Sequence, residues 1–432
     1  MGSKRGLPRA AALAILIVLF AGLVVPAIPV AAADLAVSKQ TATVDFPTKL
    51  EFDLVADAPQ PATSVEVWYH AAYDPVTEVS RTPFSGGTHI DTSSTIDMQL
   101  HYLPPGVDVV YRWRVTLQDG SIVETPEKTV LYMDNRYQWD TATSGPVTVY
   151  YFKGDDSVGQ EALTTTVQSV TKFEQTFNIK TIDPVRVLVY GSQNDFSSAL
   201  PPNSAEWIGG IAEPSLHLIL TGIQSGSGAT SEVHRVLSHE TVHIIVGQAT
   251  DNPFNTPPPW LDEGLATYYQ EVQDTRFPSA LKNAVNKGEL ISVRALDSSF
   301  PDDPDQALLS YAESESIVHF IITEKGADKM AALLNAYSKG VSNDDAVQMG
   351  LGISIDQLDL QWKQWLGYGG DKQVTATTSG DHRNPSLGDR VNDLLAESGS
   401  VILFSFAAVL TIVVGSVLLF RSRDSDGEPT EL

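Results

Sequence analysis

Two histidines and a glutamate fall within five residues, His239-Glu240-Thr241-Val242-His243. On a helix, residues four apart differ by about 40° around the axis, so both imidazoles point the same way. Two neutral imidazoles make a good start to a zinc site, which in catalytic use keeps three protein ligands and one open position for water. Glu240 neighbours His239 and cannot share its direction, but it can reach a water on the metal. Zinc moves the pKa of such a water toward about 7, and a carboxylate beside it can take the proton as the water attacks a carbonyl. A third ligand is available from the carboxylates of Trp260-Leu261-Asp262-Glu263-Gly264.

The elements needed to position these groups can be read around them. Thr230 to Val246 has the pattern of an amphipathic helix, with Val233, Val236, Leu237, Val242, Ile244, Ile245 and Val246 as its apolar material. Pro257-Pro258-Pro259 breaks the chain, and Leu261 to Glu271 is helical again. A helix, a proline-rich loop and a second helix would bring the carboxylates back to the histidines.

At this point the chain resembles the gluzincin zinc metallopeptidases, in particular the peptidase MA-like bacterial and archaeal proteins and, more distantly, the aminopeptidase N type. Pro259-Trp260-Leu261-Asp262-Glu263-Gly264-Leu265-Ala266-Thr267-Tyr268 follows the family pattern P-W-L-x-E-G-L-A-x-Y. The resemblance implies that His239, His243 and Glu263 bind Zn2+, with Glu240 as general base. Asp262 is then left as a first-turn carboxylate favoured by the helix dipole. Tyr311-Ala312-Glu313-Ser314-Glu315-Ser316-Ile317-Val318-His319 resembles the next helix of these enzymes, which implies a phenol, Tyr311, that stabilises the developing oxyanion. The stretch around Leu351 to Leu358, with Trp362 and Trp365, resembles the closing helix. The likeness spans about residues 145 to 368.

Two departures stand out. Thr267 occupies the place where thermolysin-like enzymes carry an aspartate that orients the first histidine. Nineteen residues separate His243 from Glu263, one more than in the aminopeptidase pattern, and the extra one falls in the proline-rich loop.

Other polar residues nearby have plainer readings. Glu206 to Glu213 and Leu216 to Leu220 form a strand pair, and in gluzincins an edge strand pairs with the substrate backbone. Glu213 reads as a solvated strand end. His234 reads as a surface or packing residue, since it lies about 140° from His239 on the helix. His217 alternates with apolar residues and suits an open strand face, and His319 suits a core or surface role.

A chain of 432 residues has room for two or three domains. Residues 34–140 carry short runs with strand periodicity, such as Leu50 to Val55, Val65 to Tyr69 and Val109 to Val115, separated by turns such as Pro104-Pro105-Gly106. This predicts an all-β immunoglobulin-like sandwich acting as a spacer or binding module. Residues 145–368 then open as β-α-β and continue mostly helical, an α+β metallopeptidase domain. Residues 369–400 are rich in Gly, Ser, Thr and Asp, as in a flexible stalk.

The flanking segments imply export and anchoring. Lys4, Arg5 and Arg9 precede an apolar run to Val30 and then Ala31-Ala32-Ala33, which predicts a signal peptide over 1–33. Residues 401–420 are uncharged and precede Arg421 and Arg423, which predicts one transmembrane helix and a cytoplasmic tail at 421–432. The expected location is thus a single-pass cell-membrane protein with its catalytic part outside. The chain has no cysteine, which excludes disulfides, thiolate zinc sites and cysteine-protease chemistry. Its 28 basic and 53 acidic side chains, a net charge of −25, repel nucleic acid.

The expected function is zinc-dependent hydrolysis of a polypeptide or peptide substrate. Two alternatives remain at this point, a non-catalytic cell-surface binding protein on a peptidase-like scaffold and a zinc amidase acting on cell-wall peptides.

Overall fold

The computed structural model describes residues 34–368 apart from 75, 181–182, 202–208 and 302. The expected signal peptide at 1–33, stalk at 369–400, membrane span at 401–420 and tail at 421–432 lie outside the described residues. So do residues 206–208 of the upstream strand expected from Glu206. Among the described residues, no helix is long and apolar enough to cross a membrane.

The N-terminal region is antiparallel and β-rich. Its strands are β1 (Ala36–Asp45), β2 (Lys49–Ala71), β3 (Glu78–Arg81), β4 (Gly87–Asp97), β5 (Val107–Leu117), β6 (Ile122–Glu124) and β7 (Lys128–Tyr132). β2 joins all of it. Its first half pairs with β1 and β4, its second half with β3 and β5, and its register shifts between Asp57 and Ala62 where it changes partners. The two halves fold onto each other, so that the Phe52 ring lies 5.4 Å from Tyr69 and 4.9 Å from Tyr111. Buried and less buried residues alternate along β5, the period of a strand with one face in a core.

The second domain begins at β8 (Trp139–Ser144) and β9 (Val147–Phe152), continues through α1 (Asp156–Phe177), β10 (Val185–Tyr190) and α2 (Gln193–Ser197), and then forms β11 (Gly210–Glu213) and β12 (Leu218–Gly222). Helices follow: α3 (Ala229–Thr250), α4 (Pro259–Tyr269), α5 (Phe277–Lys287), α6 (Pro304–Phe320), α7 (Ala327–Tyr337), α8 (Asn343–Leu351) and α9 (Ile355–Trp365). The sheet order is β11-β12-β10-β9-β8, parallel at its centre and antiparallel at both edges.

Both faces of this sheet are covered, which is why Val185 to Tyr190 and Leu218 to Leu220 are almost continuously apolar. Val187, Val189 and Ile219 share a core with α1 and α3. Leu188, Tyr190, Leu218 and Leu220 belong to the core of the β-rich domain. The N-terminal domain therefore does not pack by itself, as a separate spacer would. It supplies the second cover of the β11-β12-β10-β9-β8 sheet. Polar contacts reinforce the junction. Tyr190 Oη donates to Asp134 Oδ2 at 3.0 Å, Arg186 reaches the Gly106 carbonyl and Asp108, and Tyr102 Oη donates to the Ala199 carbonyl at 3.1 Å.

Candidate metal centre

α3 carries the histidine pair through the middle of the domain. From Val236 to Val246 nearly every residue is buried except His239, because sheet, α1 and α4 enclose the helix on several sides. α4 starts with Pro259 at its first turn, where a missing N–H costs nothing. Trp260, fully buried, donates from Nε1 to Asp297 and anchors that end. Next to Glu263, Gly264 permits a close crossing of α6, since a Cβ there would lie 2.5 Å from the Ser314 carbonyl oxygen. This crossing brings Tyr311, one turn before Ser314, over the site.

The three expected ligands converge. His239 Nε2 and His243 Nε2 are 3.2 Å apart, and Glu263 Oε2 lies 3.4 Å from the first and 3.7 Å from the second. These are the only three His, Cys, Asp or Glu side chains among the described residues that group closely enough to hold a metal ion. A tetrahedral zinc with bonds of about 2.0–2.1 Å sets neighbouring ligand atoms about 3.3 Å apart. The observed spacing fits. Glu263 is fully buried, with the two Nε2 atoms and the Tyr311 hydroxyl as its polar neighbours. A buried carboxylate of this kind needs a cation.

The far side of each ring is also held. His243 Nδ1 donates to Asp262 Oδ2 at 2.9 Å, and His239 Nδ1 donates to Gln270 Oε1 at 3.0 Å. Gln270 Nε2 in turn donates to the Val272 carbonyl, which can only accept. The amide oxygen must then face His239, which puts the ring proton on Nδ1 and leaves the Nε2 lone pair for a metal. Burial disfavours a charge on His243, but the carboxylates of Asp262 and Glu263 outweigh it and hold its pKa at about 10. Metal must compete with a proton there.

Glu240 points to the side, as its place in the helix requires. It is 5% exposed and its Oε2 has no hydrogen-bond partner. Burial raises its pKa, opposed by the two histidines. It lies against the edge strand: a Cβ on Gly210 would come within 3.2 Å of Glu240 Oε1. Tyr311 is buried, with its ring 5.1 Å from Phe300. Burial, then the charges of Glu263 and Glu240, push its phenol well above the usual range, and the hydroxyl interacts with the Glu263 carboxylate. It therefore stays a proton donor.

Several polar residues differ from their sequence reading. Asp262 does lie in the first turn of α4, but it also orients His243. Gln270, the residue after the end of α4, was not legible as a partner of His239. His217 is not on an open strand face. It sits in the left-handed region (φ 53°) before β12, buried against the Tyr73 ring at 4.3 Å, and burial lowers its pKa. Glu213 is half-buried and accepts from Ser215 Oγ at 2.9 Å, with its pKa raised by burial, so it is not a solvated strand end. His319 lies apart from the site, with its ring 5.7 Å from those of Tyr268 and Trp365.

No curated protein matches the chain. Among solved structures, catalytically inactive OgpA from Akkermansia muciniphila in complex with an O-glycopeptide is 15% identical, over 23% of this chain and 28% of that one, with a TM-score of 0.19. A carbohydrate-binding module of family 56, a β-1,3-glucan-binding domain, is 20% identical over 23% of this chain and 99% of that one, with a TM-score of 0.16. Neither overlap is large enough to inform fold or function, and the chain spans less than a third of the length of OgpA. Residues 165–368 match the model of the Peptidase MA superfamily. That match, over a little under half of the chain, makes this region similar to the Peptidase MA superfamily, with a scaffold resembling the metallopeptidase kind.

Proposed function

We propose that the protein is a zinc-dependent peptidase. One observation carries this reading: two Nε2 atoms and one carboxylate oxygen converge at zinc-ligand spacing, with the buried carboxylate of Glu240, its Oε2 without a hydrogen-bond partner, beside them. His239, His243 and Glu263 would hold the ion. Bound there, zinc would polarise a water molecule and a peptide carbonyl. Glu240, its pKa raised by burial, takes a proton from the water as its oxygen bonds to the carbonyl carbon. When the C–N bond breaks, Glu240 returns that proton to the leaving amine. Tyr311 keeps its proton at neutral pH and donates a hydrogen bond to the oxygen that becomes negative. β11, adjoining Glu240 at Gly210 and the end strand of its sheet among the described residues, would offer its outer edge to an extended substrate.

We also propose that the uncharged stretch 401–420, followed by Arg421 and Arg423, anchors the protein in the membrane with the peptidase domain outside the cytoplasm.

The test is mass spectrometry of a mixed peptide library incubated with the zinc-loaded protein and with Glu240→Gln. Cleavage that disappears in the variant supports the reading. If neither protein cuts any peptide while both bind zinc, the reading is wrong.

A further inference from the structure

We propose that His234 is a positioning residue of the metal centre, acting on His239 through Glu271 and Gln270; this rests on the reading that His239, His243 and Glu263 hold a metal. His234 lies on α3, five residues before His239, and touches none of the three ligands. Its Nε2 is 2.6 Å from Glu161 Oε1 on α1, and its Nδ1 is bonded to Glu271 just beyond α4. A carboxylate faces each ring nitrogen, so both nitrogens donate and the ring is a cation. The hydrogen bond to Glu161 is the largest cause of its raised pKa, with burial opposing and Glu271 assisting.

The cation fixes the segment that holds the first ligand. Glu271 is tied to α3 twice. Its carboxylate pairs with His234, and its main-chain N–H donates to Ser238 Oγ at 2.9 Å, the same hydroxyl that donates back to the His234 carbonyl. With residue 271 pinned, Gln270 has little freedom, and its Oε1 rests on His239 Nδ1. One turn back, Thr267 Oγ1 is buried without a hydrogen-bond partner, so it gives His239 no support. α3 thus carries both the ligand and the group that secures the ligand's outer partner. Glu161 ties α1 into the same brace. The other charges nearby are engaged elsewhere: Arg235 pairs with Glu232, and Asp274 with Arg276.

Zinc affinity of the full chain, measured by chelator competition between pH 6.5 and pH 9, tests the proposal. Four proteins are compared: wild type, His234→Ala, Glu161→Gln and His239→Ala. His239→Ala should abolish tight binding. His234→Ala should bind up to about tenfold more weakly near neutral pH, the low end of the loss expected when an outer partner of a metal ligand is removed, because Gln270 stays but is held less firmly. The gap should narrow as pH rises above the ordinary histidine range, because wild type then loses the same cation. Glu161→Gln should shift affinity in the same direction by a few-fold. It changes a half-exposed side chain and carries the test if circular dichroism shows His234→Ala misfolded. Wild-type affinity in both brace variants, or a gap that does not change with pH, overturns the proposal. If His239→Ala itself retains wild-type affinity, the metal reading falls and the proposal falls with it.

Discussion

Replacing Asp134 with alanine should destabilise both domains together. Asp134 is 0% exposed and sits where they meet. Its Oδ1 accepts from Arg136 N at 3.1 Å and Nε at 2.9 Å, and its Oδ2 accepts from Arg136 Nη2 at 2.6 Å and Tyr190 Oη at 3.0 Å. Alanine removes the acceptor and leaves the phenol of Tyr190, itself 0% exposed, unpaired; a stranded buried donor costs about 1–3 kcal/mol. Arg136 also loses its partner, but its side chain is 31% exposed, so water meets part of the need and the charge contribution is discounted accordingly. The total is about 3 kcal/mol. At roughly 2 °C per kcal/mol for a protein of this size, Tm should fall by about 6 °C. Differential scanning calorimetry on the full chain reads that shift. Hydrogen exchange reads its distribution, and protection should fall in residues 107–117 and 185–190 alike, because they line one core. A shift under 2 °C, or loss of protection in one domain alone, would refute the claim that the interface is a shared core.

Two further outcomes follow from the site and one from a buried carboxyl group outside it. Asp262→Ala should weaken zinc binding by roughly 10–100-fold while leaving the fold intact, since it removes the partner of His243 Nδ1; unchanged affinity in a chelator competition would show that Asp262 does not orient the ring. Gly210→Ala should lower peptide turnover while zinc affinity stays at the wild-type value, because its Cβ would lie 2.7 Å from Val236 and 3.1 Å from Glu240 Cγ and so displace the base or the edge strand; equal turnover sinks this. Glu313, fully buried, has its pKa pushed up to about 8 by burial, against an ordinary value of 4.5. The folded state therefore holds a proton that the unfolded chain has already released, and stability is lost as pH rises from about 4.5 to about 8. Glu313→Gln can still accept from Ile291 N, so its melting temperature should gain on wild type across that window and match it near pH 4; a constant difference would place the cause elsewhere.

Much of the centre was legible because helical periodicity is local. The spacing of His239 and His243 already aims both rings one way, and the Trp-Leu-Asp-Glu-Gly run marks the start of the next helix. The first strands and helix of the second domain came through for the same reason, since Val147–Phe152, Asp156–Phe177 and Val185–Tyr190 each carry their own pattern. What was not legible depends on where separate segments meet. Gln270 follows the last residue of α4 in non-helical backbone, and its contact with His239 exists only because the chain turns back across α3 there. His234 reads as a surface histidine until α1 and the end of α4 bring a carboxylate to each nitrogen. The shared core left a trace, the almost unbroken apolar runs of β10 and β12, but a run of that kind does not say what covers its second face.

The two histidines are not equivalent ligands. His243 is 5% exposed in its side chain and leans on a carboxylate, which makes its ring the stronger electron donor, whereas His239 is 15% exposed and leans on a neutral amide. The centre thus has a firm side and a yielding side. With a metal bound, His239 would be the ligand more open to an entering chelator, whereas a proton competes chiefly at His243. That asymmetry comes from one amide and one carboxylate behind two otherwise identical rings.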